Sequence, residues 1–191
     1  MKISAPHVLL VLLLAAQVSE GQERRCRDVG FPEHLQAAGT DLSLNGLGMR
    51  KATFLKINVY VGALYVVQPS RDARALIGSD TPQELILHFV RNVAAEDLRK
   101  AFAEDFARIA AAGSPAIQER VARLNGWMSD MKSGQRLIFL RSRQGIEVRV
   151  DGAVRGTIEG EEFARLFIGI WLGPSPPNPE LKNGLLGGEC G

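Results

Sequence analysis

Apolar positions recur most regularly in residues 44–67, the longest strand-like stretch of the chain. Apolar side chains occupy every second position from 57 to 65, and the residues between them are uncharged too. Successive side chains of a strand point to opposite faces of a sheet, so both faces of this stretch are uncharged. The pattern predicts a central strand of a packed sheet. Gly46 and Gly48, just before it, predict a bulge or a close backbone approach.

Further strands follow from alternation and from turn signals. Residues 84–93 alternate two apolar faces, and Leu42 and Leu44 alternate with polar neighbours. Gln144-Gly145 and Asp151-Gly152 are typical of two-residue turns. We therefore predict an antiparallel meander of strands 136–142, 146–150 and 153–158. Residues 22–39, interrupted by Pro32 and Gly39, predict irregular structure with a short helical turn.

Helical periodicity appears in blocks between the strands. Residues 95–112 carry apolar side chains at helical spacing, and Ser114-Pro115 is typical of the start of another helix. Helices are also predicted at 71–77 and 161–172, and a proline-rich connector leads to residues 181–186. Hairpin strands with helices inserted in blocks predict an α+β fold.

The N-terminus and the two cysteines indicate an exported protein. Residues 1–21 combine Lys2, an apolar run at 8–16 and small residues, which is typical of a signal peptide, while an uncleaved anchor is the alternative. We expect residues 22–191 to form one domain without a membrane-spanning segment, in the periplasm or outside the cell. An oxidising compartment permits a disulfide between Cys26 and Cys190, although two free thiols are equally compatible with the sequence.

Composition and motifs exclude several function classes. The 191 residues have a formal net charge of +2 and no long basic run, so nucleic-acid binding is not expected. The sequence lacks a third glycine of a dinucleotide motif, a phosphate-binding loop, a nucleophile elbow and His or Cys pairs at metal spacing. No cofactor or metal is therefore predicted, and nothing indicates an oligomeric state.

Arg50, which follows the two glycines, is the main candidate for binding chemistry. Beside an apolar strand, its guanidinium either pairs with an acid such as Asp41 or Glu84 or remains free for an anionic ligand. Further candidate ligand contacts are Tyr60, Tyr65 and His88. Each of these three has an alternative role, as a core aromatic or as a structural histidine.

Three separated segments resemble the chalcone isomerase-like family, in particular its secreted bacterial branch. They are GLGMRKATFLKINVYVGALYV at 46–66, RNVAAEDLRKAF at 91–102 and GTIEGEEFARLFIGIWLGPSPPNPELKNGLLG at 156–187. The resemblance covers residues 42–187 and implies an open-faced β-sandwich, in which helices cover one face of a large antiparallel sheet. It also implies a cleft between sheet and helices for a flat or long apolar ligand.

The resemblance further implies a role for Arg50. In plant isomerases the arginine after Gly-x-Gly-x holds a phenolate, and in fatty-acid-binding relatives it is expected to hold a carboxylate. The plant threonine falls here near Phe54 or Leu55, and the plant tyrosine near Asp97 or Leu98, so both catalytic partners are missing.

Three hypotheses follow. The first is an exported protein that binds a fatty acid or another apolar anion, such as a flavonoid-like molecule, through Arg50. The second is an intramolecular lyase or isomerase in which Arg50 acts as an electrophile on a conjugated ketone. The third is a structural or partner-binding module without a small-molecule site.

Overall fold

A seven-stranded antiparallel sheet with its strands in sequence order forms the frame of the protein. The structure is a computed structural model, and it describes residues 22–52, 55–109 and 113–191. The predicted signal peptide and Phe54 lie outside the described residues. The sheet contains β3 (His34–Ala37), β4 (Thr40–Ala52), β5 (Ile57–Val66), β6 (Gln83–Phe89), β7 (Arg136–Ser142), β8 (Gly145–Val150) and β9 (Ala153–Glu159).

The predicted central strand is β5, which pairs with β4 on one side and β6 on the other. The meander predicted from the two turn signals is confirmed as β7–β9. The strand predicted at 84–93 ends earlier, at Phe89, and Val93 forms only an isolated bridge with Met131.

Residues 22–39 are not irregular as predicted. They form a separate hairpin of β1 (Glu23–Cys26) and β2 (Val29–Pro32), followed by β3. The tight turns place Arg27 and Ala38 at positive φ, a conformation that neither residue type signals in a sequence. The helical turn expected in this region is absent from these described residues.

Within the part of the chain that the structure describes, five helices follow the predicted blocks: α1 (Ala73–Gly78), α2 (Ala95–Ala107), α3 (Pro115–Gly126), α4 (Glu161–Leu172) and α5 (Pro179–Leu185). Ser114 caps α3 through a side-chain hydrogen bond to the N–H of Ile117, as the sequence pattern predicts. Residues 110–112, the end of the helix predicted at 95–112, lie outside the described residues. Among the described residues, no helix has the length and apolarity to cross a membrane.

The main core lies between the sheet and the helices. Aromatic rings dominate it, and the rings of Phe139 on β7 and Phe167 on α4 have centroids 4.5 Å apart. Phe102 and Phe106 of α2 add further ring contacts from the neighbouring helix. Burial of these large apolar side chains fixes the helices on one face of the sheet.

A smaller core lies on the opposite face, beneath the β1–β2 hairpin. It includes Phe31, Met49 and Tyr65. A disulfide joins Cys26 at the end of this hairpin to Cys190, with a Cα–Cα distance of 5.7 Å. The C-terminal segment also runs beside β4, where the N–H of Met49 donates to the carbonyl of Cys190 at 2.9 Å.

The two glycines before Arg50 allow α5 to lie directly on the sheet. A Cβ atom at Gly48 would come within 2.4 Å of the carbonyl oxygen of Leu181, and one at Gly46 within 2.1 Å of that of Gly184. Both distances are far below van der Waals contact, so only glycine fits at either position. The predicted close approach and bulge are confirmed, since the β4–β5 register shifts between Leu44 and Gly46.

Candidate ligand-binding site

Arg50 lies near the end of β4 and is half-buried. It pairs directly with Tyr60 of β5, and residues opposite each other on paired strands project to the same face. Tyr60 belongs to the core between sheet and helices. The guanidinium and the phenol therefore lie side by side on the face of the sheet that the helices cover. They are close to Asn178, at the N-terminal end of α5.

Neutral oxygen atoms hold the guanidinium of Arg50. Its Nη1 donates to the side-chain oxygen of Asn178 at 2.9 Å, to the carbonyl of Pro177 at 3.4 Å and to the carbonyl of Lys51. No ion pair of Arg50 occurs among the described residues. The acids considered from the sequence do not pair with it: Asp41 is exposed, and Glu84 lies 3.9 Å from Arg149.

Tyr60 is buried and keeps its proton. Burial raises its pKa to about 12, although the indole N–H of Trp171 and the charge of Arg50 act in the other direction. Trp171 Nε1 donates to the Tyr60 hydroxyl at 3.0 Å. The hydroxyl group therefore accepts a hydrogen bond from α4 and retains its own proton.

Asp105 of α2 contributes a negative charge from the helix side of the site. It forms an ion pair with Arg108 of the same helix. Burial raises the pKa of Asp105, whereas the charges of Arg108 and Arg50 lower it. Arg50 and Asp105 thus attract each other electrostatically without forming a salt bridge.

The space between the sheet and α4 is packed in this structure rather than open as the resemblance implied. A void in this layer is too narrow to admit a water molecule, and its lining is apolar: Leu64, Leu85, Ile168, Trp171, Leu172 and Leu185. Large aromatic side chains fill the space beside it. An apolar ligand chain would have to separate these side chains to enter.

Tyr65 and His88 lie on the other face of the sheet, so the structure does not bring the four predicted site residues together. Tyr65 donates to the carbonyl of Pro32 at 2.8 Å. His88 Nδ1 accepts from Arg136 Nε at 3.3 Å, and its ring makes a T-shaped contact with that of Phe31 at a centroid distance of 6.3 Å. Burial and the charge of Arg136 lower the pKa of His88. Both residues connect the sheet to the β1–β2 hairpin.

The positions expected for the plant catalytic partners also lie elsewhere. Leu55 is 65% exposed in the turn between β4 and β5. Asp97 is exposed in the first turn of α2, and Leu98 is buried in the core. The residue that lies opposite Arg50 is Tyr60, for which the sequence left open a ligand contact or a core aromatic.

The sequence pattern did not indicate Asn178, Asp105 or Trp171 as residues of the site. One signal was present for Trp171, because a buried indole N–H requires an acceptor. Asn178 is flanked by prolines in a segment that gives no periodic pattern.

Comparison with known proteins agrees with this architecture. The model of the chalcone isomerase-like family matches residues 23–187. The chain therefore belongs to the chalcone isomerase-like family, and the predicted α+β open-faced sandwich is confirmed. The structure resembles the crystal structure of a fatty-acid-binding protein from Arabidopsis thaliana, with a TM-score of 0.69 and 14% identity over 86% of this chain and 96% of that one. No curated protein sequence matches the chain.

Proposed function

We propose that the protein binds a fatty acid or another apolar anion, with Arg50 as the anchor of the anionic group. The observation that carries the proposal is a half-buried guanidinium that neutral oxygens hold and that no described carboxylate neutralises. Such a cation gains most from an oxyanion, because its planar N–H groups match a carboxylate in two parallel hydrogen bonds. The neutral Tyr60 hydroxyl adjoins it as a further donor.

We place the apolar part of the ligand between the sheet and α4. The side chains there are large and apolar, and binding would exchange their contacts with one another for contacts with the ligand chain. The Arabidopsis thaliana protein that shares this fold is a fatty-acid-binding protein. The 14% identity supports the fold alone, so the ligand class is argued from Arg50 and its surroundings.

Binding of a saturated fatty acid such as dodecanoate, measured by titration calorimetry, tests the proposal. We expect Arg50→Ala to weaken binding about tenfold to hundredfold, as expected for the loss of a charge-assisted hydrogen bond worth ~1.5–3 kcal/mol. Arg155→Ala is the matched control, because Arg155 is exposed on β9 away from the site. Equal affinity of the wild type and Arg50→Ala would contradict the anchor role. Native mass spectrometry of protein from cells would identify a co-purified ligand.

A second candidate function is an intramolecular lyase reaction, which the pairing of Arg50 with Tyr60 favours. In such a reaction a substrate phenol oxygen bonds to the β-carbon of a conjugated ketone, the electron pair moves to the carbonyl oxygen, and the phenol proton ends on the α-carbon. Two adjacent donors stabilise the enolate that forms. Loss of chalcone absorbance, with Arg50→Ala as the control, tests this function. No binding and no turnover would favour a module without a small-molecule site.

We also propose that the protein is exported. The support is the signal-peptide pattern of residues 1–21 together with the Cys26–Cys190 disulfide, which an oxidising compartment would maintain. Cell fractionation and N-terminal sequencing of the mature protein test this location. An uncleaved chain that remains with the membrane would contradict it.

A further inference from the structure

We propose that Asn178 is a positioning residue that orients Arg50 for the ligand. Its side-chain oxygen accepts from Arg50 Nη1 and from the main-chain N–H of Lys51, both at 2.9 Å. One amide oxygen thus fixes both the guanidinium and the backbone of the next residue. The inference rests on the proposed anion-binding function and deepens it.

The conformation of Asn178 indicates a role other than helix capping. Asn178 occupies the N-cap position of α5, where asparagine normally accepts from main-chain N–H groups of the first turn. Its side chain makes no such capping hydrogen bond. The oxygen that would cap the helix is directed instead to Arg50 and Lys51.

The segment that carries Asn178 is held at both ends. Pro177 and Pro179 flank it and fix two backbone φ angles. Lys182 of α5 donates to the carbonyl of Gly173 at 2.7 Å and thereby closes the connector between α4 and α5. Gly46 and Gly48 admit α5 to the sheet surface. The two glycines thus place the start of α5 beside Arg50. Arg50 lies two residues after Gly48 on the same face of β4.

The hydrogen bonds leave one edge of the guanidinium for a ligand. Nη1 contributes every side-chain hydrogen bond of Arg50 to the described residues. The Nε and Nη2 groups form the edge that matches the two oxygens of a carboxylate. Asn178 therefore holds the guanidinium at Nη1 without neutralising its charge, and Nε and Nη2 have no hydrogen-bond partner among the described residues.

Variants of Asn178 that differ in charge test this role with dodecanoate and with its methyl ester as the neutral probe. Asn178→Asp places a carboxylate beside Arg50, so we expect dodecanoate affinity to fall about tenfold or more while methyl dodecanoate affinity and the melting temperature are kept. For Asn178→Ala we expect a smaller loss, about twofold to fivefold, because Arg50 is no longer oriented. Unchanged dodecanoate affinity in Asn178→Asp, or tighter binding by Asn178→Ala, would overturn the inference.

A second measurement uses the protein without ligand. We expect separate NMR signals for Arg50 Nη1 and Nη2 in the wild type, since the bonds to Nη1 slow rotation of that group, and merged signals in Asn178→Ala. Merged signals already in the wild type would overturn the inference. If dodecanoate binds neither wild type nor variants but the two signals are separate in the wild type and merge in Asn178→Ala, the anion-binding function fails and the orientation of Arg50 by Asn178 stands. If Arg50→Ala weakens binding but Asn178→Asp does not, only the positioning role fails.

Discussion

Trp171 of α4 donates its indole N–H to the hydroxyl of Tyr60 on β5 at 3.0 Å. This hydrogen bond crosses the layer between helices and sheet and ends beside Arg50, the residue opposite Tyr60. Tyr60 stays neutral because burial raises its pKa to about 12, although the hydrogen bond from Trp171 acts in the other direction. The Tyr60 hydroxyl therefore has two roles: it binds Trp171 of α4, and it is a donor of the proposed site.

Replacing Tyr60 by phenylalanine tests both roles. We expect Tyr60→Phe to lower dodecanoate affinity about twofold to tenfold through loss of a neutral hydrogen bond. We also expect ~1–3 kcal/mol lower stability, because the Trp171 N–H loses its acceptor. Tyr65→Phe is the matched control, since its hydroxyl bonds to Pro32 on the opposite face. If both variants change affinity equally, the ligand does not contact Tyr60.

Adding one methyl group at Gly48 tests the contact of α5 with the sheet. The carbonyl of Leu181 lies 2.4 Å from the position of the added Cβ atom, so α5 must move. We expect Gly48→Ala to lower the free energy of unfolding by at least ~1–3 kcal/mol, measured in urea, and to weaken dodecanoate binding by displacing Asn178. Gly169→Ala in α4 is the control, because no atom beyond its chain neighbours and the adjacent helix backbone lies within 4 Å of the added Cβ. There we expect a gain of ~1 kcal/mol, and an equal loss in both variants would contradict the packing argument.

The sequence predicts those parts of the fold whose signals are local. Alternation alone predicts β5, and two turn dipeptides predict the β7–β9 meander. The strands before β4 gave no such signal, because β1 is exposed at all but its last residue and the β1–β2 turn places Arg27 at positive φ. Long-range burial beneath the hairpin, with Phe31 and Cys26, determines this region instead.

The candidate site, like the fold, could be predicted from the sequence only in part. Arg50 follows a recognisable glycine motif, whereas its partner Asn178 lies 128 positions later in the chain. That contact exists because α5 packs on two glycines, a relation between distant segments that periodicity does not express. Alternation predicts that Tyr60 and Tyr65, five positions apart in β5, lie on opposite faces of the sheet, but it does not predict which face the helices cover.

Removal of the disulfide should destabilise the fold without altering the site. Cys26 and Cys190 are 164 positions apart, so their bond strongly restricts the unfolded chain. We expect the double variant Cys26→Ser/Cys190→Ser to lose ~2–5 kcal/mol of unfolding free energy in urea titrations. Dithiothreitol should lower the wild-type midpoint similarly and leave the double variant unchanged. Coincident curves for oxidised and reduced wild type would contradict a stabilising bond.

His88 should make stability depend on pH near and below neutrality. Burial, and then the charge of Arg136, lower its pKa in the folded protein below the ordinary 6.5. The unfolded chain therefore binds more protons in the interval between the two pKa values, and stability must rise as pH increases through that interval. The contribution of neutral His88 to the free energy of unfolding is complete above pH 6.5. It is lost as the pH falls through the pKa that His88 has in the folded protein.

Comparison with His88→Gln isolates this contribution from other titrating groups, such as Glu84, whose pKa burial raises. We expect the unfolding free energy of the wild type to decrease relative to that of His88→Gln as the pH falls from 7 to 5. The slope of this decrease should stay below the one-proton limit of ~1.4 kcal/mol per pH unit. NMR titration should also show a higher His88 pKa in Arg136→Gln, because a neighbouring positive charge disfavours the imidazolium. A wild-type His88 pKa at or above 6.5 would contradict the assignment and would mean that the His88–Arg136 contact is open to solvent.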